Sequence, residues 1–155
     1  MRWNATVQSL KLEDCGLKAS GMRALTKMLG ANTTLRYLDI AFNKVGDAGC
    51  QELAAAIRAA ASLKELRVEG IDYSITGVNC ILDALKKETS GLVVDFGDIS
   101  QSPFLDITNA TEALMFASER SHFTWTEKCI SKLDGLLSPQ RQVRKLHFNC
   151  EDEDK

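Results

Sequence analysis

Four residues in the C-terminal third, His122, Cys129, His147 and Cys150, carry side chains that hold zinc or pair a nucleophile with a base. Their spacing fits no compact Cys/His motif. Cys129 falls within a helical segment, where a small buried hydrophobe serves. His122 with Cys129 lacks a third orienting group and an oxyanion donor. Gly21, Gly46, Gly49 and Gly77 are scattered at a regular period instead of forming a phosphate-binding loop, so they are assigned to turns and helix starts. No catalytic residue, metal or cofactor is expected, and the chain is read as a non-enzyme. The chemistry that remains is recognition.

Charge narrows the partners. The formal net charge is −2, and the basic cluster Arg141, Arg144 and Lys145 runs straight into the acidic tail 151–154. A nucleic-acid partner needs a basic stripe and is not expected. No apolar run approaches the roughly 18 residues of a membrane span, and the N-terminus lacks the apolar core of a signal peptide. The five cysteines do not form a disulfide framework. Cytoplasmic residence is expected on these grounds. Asn4-Ala-Thr6, Asn32-Thr-Thr34 and Asn109-Ala-Thr111 are glycosylation acceptor sequences. Without a signal peptide they are read as accidental, and two of them sit where a turn or helix start wants Asn and Thr anyway.

The elements that position any recognition surface repeat every 28 residues without a gap. Val7, Leu10, Leu12, Cys15 and Leu17 answer to Leu35, Leu38, Ile40, Asn43 and Val45. Those answer to Leu63, Leu66, Val68, Ile71 and Tyr73. Each unit opens with strand alternation, as in Leu35-Arg-Tyr-Leu38-Asp-Ile40, and then changes to helical spacing, as in Leu53, Ala54 and Ile57 from Gly49 to Ala60. Strands are expected near 9–12, 37–40, 65–68 and 93–96, in one parallel sheet with helices on one side only. After each strand the turn leaves backbone groups unpaired, and a buried polar side chain must satisfy them. Asn43 donates and accepts there; Cys15, expected as a buried thiol, does so more weakly. Ile71 has no polar atoms, so an irregular third turn is expected.

The outward strand positions form the candidate partner-binding set: Lys11, Glu13, Tyr37, Asp39, Glu65, Arg67 and Glu69. Stacked strands lie about 4.8 Å apart, so Lys11, Asp39, Arg67 and Asp95 form one row of alternating charge. Two readings stand side by side. The row is a self-neutralising ladder that keeps the face soluble, or it is a polar recognition face with Tyr37 as its aromatic anchor.

Ala41-Phe-Asn43-Lys-Val45-Gly46-Asp47-Ala-Gly49 and the L-x-x-L-x-L strands resemble leucine-rich repeats of the ribonuclease-inhibitor type, which also occur in NOD-like receptors and the activator of the Ran GTPase. The resemblance covers Val7 to about Ile99. It implies an α/β solenoid, with a parallel sheet on the concave side and helices on the convex side, and intracellular protein binding through the sheet. The repeats are assigned to residues 1–100. Residues 101–155 are assigned to a helical C-terminal cap, with helices opened by Asn109 and Thr124, a degenerate last strand at Val143–Phe148, and an acidic tail. The leading expectation is a protein-interaction module. Regulation of a small GTPase and an architectural role in a cytoskeletal or axonemal assembly are the alternatives. With only Trp3 to cover the first strand, either self-association through the N-terminal end or cover by a segment outside this sequence is also expected.

Overall fold

The computed structural model describes residues 4–87, 90–99, 121–122 and 124. Strands and helices alternate as the period change demands. The order is β1 (Ser9–Lys11), α1 (Ala19–Ala31), β2 (Tyr37–Asp39), α2 (Gly46–Ala59), β3 (Glu65–Arg67), α3 (Ile75–Lys87), β4 (Val93–Asp95) and β5 (Ser121–His122). All five strands pair in parallel, in chain order. Leu10 faces Leu38, Leu38 faces Leu66, and Leu66 faces Val94. None of the helices is long and apolar enough to cross a membrane among the described residues.

The alternation places one side of each strand in a continuous core. Leu38, Ile40, Leu66, Val68, Val94 and Phe96 are fully buried, with Leu53, Ile57, Ile81 and Leu85 meeting them from the helices. Tyr73 packs edge-on against Phe96, with ring centroids 6.2 Å apart. Helix α2 packs between α1 and α3. It starts three residues before the expected Gly49, at Gly46. Gly49 and Gly77 are therefore inside helices, not at their starts. They mark close approach: a Cβ on Gly49 would come within 2.4 Å of Val45, and one on Gly77 within 2.7 Å of Tyr73.

The expected irregular third turn is not found. Asp14, Phe42 and Gly70 hold the same repeat position and all have positive φ, at 47°, 54° and 61°. Ile71 is buried. Other side chains tie the adjoining units together: Asp72 Oδ1 accepts from the Gly46 amide at 2.6 Å. Asp47 accepts from the Ser74 amide, the Ser74 hydroxyl and the Gly77 amide. These two carboxylates brace α2 to the start of α3.

The fifth strand also departs from expectation. Ser121 and His122 pair with Val94 and Asp95, so the fourth unit is one residue shorter than the others. Leucine periodicity could not show it, because Ser121 stands where Leu10, Leu38 and Leu66 stand. The Thr124 amide continues the pairing to the Gly97 carbonyl at 2.7 Å. The expected strand at 143–148 and the helices at 109–120 and 125–137 lie outside the described residues.

Candidate protein-binding face

The centre of the outward sheet face is built around one guanidinium. Arg67 on β3 stands beside Asp39 on β2, and its Nη1 lies 3.1 Å from Asp39 Oδ2. Its Nη2 bonds Glu69, and Glu13 Oε1 lies 3.7 Å away. The register sets Lys11, Asp39, Arg67 and Asp95 in one row, as expected, and within it three carboxylates gather about Arg67. Burial works against the charge, yet the hydrogen bonds donated to Glu69 and Asp39 outweigh it and hold the guanidinium above its ordinary pKa.

Asp39 is an outward strand residue, and even so it is buried, at 2 % exposure. A buried carboxylate needs partners, and the cluster supplies them. Besides Arg67, Asp39 Oδ2 accepts from the Tyr37 hydroxyl at 3.3 Å, and Oδ1 accepts from the Ala41 amide at 2.9 Å. Burial, and then the Asp39 charge, raise the Tyr37 hydroxyl above its ordinary pKa. Tyr37 and Arg67 are half-buried and tied to this carboxylate instead of pointing freely to solvent. Asp95 repeats the Asp39 motif and accepts from the Gly97 amide at 2.9 Å.

Phe42 completes the face, and reading of the strands alone missed it. It lies in the turn just beyond β2, 39 % exposed. Its ring covers Gly70, where an added Cβ would come within 2.5 Å of ring carbons. The Arg67 guanidinium carbon sits 5.8 Å from the ring centroid, within cation–π range. A bulky residue at positive φ is an outlier that costs on the order of 1–3 kcal/mol. The readable signal was positional: Phe42 replaces the Asp14 and Gly70 of its sister turns. Glu69 leans in the same direction over Gly97 and accepts from the Asp98 amide.

Asn43 fastens this turn from below. It is buried; its Oδ1 accepts from the Cys15 and Leu17 amides at 3.1 and 2.8 Å. Its Nδ2 donates to the carbonyls of Leu12, Ile40 and Ala41. Cys15, the equivalent in the first unit, is exposed. That corrects the expectation of a buried thiol. No described unit precedes the first one, so nothing there covers the position. Asn4 and Asn32 close matching loops instead, each accepting from the amides two and three residues ahead.

Of the remaining candidates, Lys11 and Glu65 are exposed on β1 and β3, and Glu13 on the turn after β1. His122 is exposed on β5; Cys129, His147 and Cys150 lie outside the described residues. Among the described residues no three His, Cys, Asp or Glu side chains group as metal ligands.

A Leucine Rich repeat family model matches residues 4–25 and 31–54, two consecutive turns of the solenoid. Ribonuclease inhibitor from Mus musculus aligns at 26% identity over 179 residues, covering 90% of this chain and 38% of that protein. The chain carries leucine-rich repeats similar to those of the ribonuclease-inhibitor type. Ribonuclease inhibitor from Sus scrofa aligns at 34% identity over 85 residues, 54% of this repeat protein and 19% of the relative. The repeat protein thus spans less than two fifths of either relative's length. Among solved structures, the tropomodulin C-terminal domain from Caenorhabditis elegans superposes with a TM-score of 0.61 at 14% identity, covering 87% of this chain and 84% of that one. Leiomodin-1 Actin-Binding Site 2 superposes with a TM-score of 0.59, also at 14% identity, covering 87% and 81%. At that identity the likeness is one of fold.

Proposed function

We propose that this chain is a non-enzymatic protein-binding module. Its recognition surface is the concave sheet together with the turns that border it. The observation that carries this reading is Phe42: a large aromatic ring, exposed, held at strained φ in the middle of the sheet's rim. Strain of this kind clusters at ligand clamps, and aromatic and Arg anchors dominate interface energies. Arg67 lies against the ring, Tyr37 joins Arg67 through Asp39, and Glu13, Glu65, Glu69 and Lys11 form the polar surround. Cytoplasmic residence fits the module.

The test is capture of a partner from lysate, followed by titration of variants against it. Phe42→Asn suits the backbone, because Asn tolerates positive φ. It is expected to leave the thermal melt nearly unchanged and to weaken binding by about 2 kcal/mol or more if Phe42 is a hot spot. Arg58 and Lys86 on the helices serve as controls. If Arg58→Ala and Lys86→Ala abolish binding while Phe42→Asn binds normally, the assignment to the concave face is wrong.

A second reading is an architectural role in a cytoskeletal assembly, favoured by the fold likeness to tropomodulin and to a leiomodin segment named for actin binding. Co-sedimentation with actin filaments separates it from the first. Pelleting that survives Phe42→Asn supports the architectural role through another face.

A further inference from the structure

β1 is the outer strand of the described sheet. The amides of Leu12 and Asp14 donate inward to the Asp39 and Ala41 carbonyls, at 2.8 and 3.0 Å. Successive residues of an extended chain turn their backbone groups to opposite sides. Those of Ser9, Lys11 and Glu13 therefore face the open edge. Beneath that edge lies core-type chemistry. Leu10, Leu12, Leu17, Leu25 and Met28 are only partly buried, whereas Leu38, Ile40, Val45, Leu53 and Ala56 at the same repeat positions are at most 2 % exposed. Val7 is 42 % exposed. A hollow of about 260 Å³ opens among Asn4, Val7, Leu10, Met28, Asn32 and Leu35.

We propose that this edge takes a second copy of the chain, with β1 pairing antiparallel to β1 across a two-fold axis at Leu12. Charge sets the register. A two-fold at Leu12 brings Lys11 opposite the partner's Glu13, and Glu13 opposite the partner's Lys11. Hydrogen bonding requires the same register, because Lys11 and Glu13 are the residues whose backbone groups point outward. They form the hydrogen-bonded pairs, and the two Leu12 residues form the closer, non-hydrogen-bonded pair between them. The Glu13 side chain is 45 % exposed and only 3.7 Å from Arg67, so it can turn to a new cation. An axis normal to the sheet keeps all helices on one side. α1 then faces α1 of the second copy, and the half-buried Leu25 and Met28 are covered. Such an interface is isologous and closes at two.

The inference is independent of the proposed protein partner, since it is read from mass and not from capture. Sedimentation velocity over a concentration series is expected to show a monomer–dimer equilibrium. Lys11→Glu or Glu13→Lys alone places like charges opposite each other at both pair sites. Each is expected to weaken the dimer about tenfold or more. The double variant restores opposite charges and is expected to recover dimerisation to within about threefold of the unsubstituted chain. Circular dichroism run alongside establishes that each variant is folded. A strict monomer at every concentration overturns the proposal, as it would if the end were covered by a further repeat unit. A dimer indifferent to the single swaps overturns it too, and so does a double variant no better than the singles.

Discussion

The first and second repeats carry nearly the same side chains at the same positions, yet they do not share the same fate. Leu38 and Ile40 are wholly buried, while Leu10 and Leu12 are only partly so. Asn43 is enclosed by five hydrogen bonds, three of them to the preceding unit, whereas Cys15 is exposed. Burial in a solenoid is conferred by neighbours on both sides, so a residue's energetic weight follows its place in the stack. Identity matters once the place is filled. The third turn holds the same backbone form with Ile71 in place of Asn, and Asp72 and Asp47 tie the adjoining units through other amides.

Core truncation should show the largest difference between the two repeats. Leu38→Ala and Leu53→Ala are expected to cost roughly 2–5 kcal/mol each in urea melts. Leu10→Ala should cost about half as much or less, because part of its surface is already wet. Equal losses at Leu10 and Leu38 would show that the first repeat is covered in solution.

The polar position should separate the repeats next. Asn43→Leu strands the amides of Cys15 and Leu17 and three carbonyls, for a loss on the order of 1–3 kcal/mol. Cys15→Ala is expected to stay within about 0.5 kcal/mol of the parent, as exposed substitutions do. A loss below about 0.5 kcal/mol for Asn43→Leu would break the account of this residue.

The glycine beneath Phe42 gives a smaller effect. Gly70→Ala must hold positive φ and push the ring aside, and a loss of about 1–2 kcal/mol is expected in the same melts. If partner binding is unaltered by this displacement, Phe42 is not the anchor.

The smallest effect on stability, and a clear chemical one, concerns the thiols. Cys15 is exposed, and Cys50 is buried with its thiol pushed up to about 12 by burial and then by Asp47. Only the thiolate reacts. At pH 8, iodoacetamide followed by peptide mapping should find Cys15 alkylated and Cys50 protected until the protein unfolds. Above the ordinary thiol range, near pH 9, the unfolded chain loses its Cys50 proton before the folded one does. Stability should therefore fall as pH rises from about 9 towards 12.

Much of the scaffold was legible because its signals are periodic. Strand positions, their parallel order and the role of Asn43 follow from apolar alternation and from backbone groups needing partners. Where a residue's role depends on something 26 to 30 positions away, no local signal exists. Asp47 and Asp72 read as ordinary surface acids, yet they brace consecutive units. β5 was hidden because Ser121 replaces leucine in a shortened unit. Of the candidate site, Lys11, Tyr37, Asp39, Glu65 and Arg67 were legible as strand positions, while Glu13 and Glu69 fall just past their strands and the gathering of carboxylates about Arg67 was not legible. Side-chain reach lets Arg67 choose Glu69 and Glu13 over Asp95, and strand spacing alone does not rank them. Phe42 was missed because it lies one step past the strand, in the turn.

The cross-unit hydrogen bonds also decide where damage is felt. The amides of Cys15 and Leu17 are guarded by Asn43, that of Gly46 by Asp72, and those of Ser74 and Gly77 by Asp47. Protection from solvent exchange at one turn is therefore held by a residue of an adjoining unit. A lesion at Asn43 should make residues 15 and 17 exchange fast, so its footprint appears one unit towards the N-terminus of the substituted residue. One at Asp47 should open residues 74 and 77, one unit towards the C-terminus. The solenoid would then loosen in opposite directions from two side chains four residues apart.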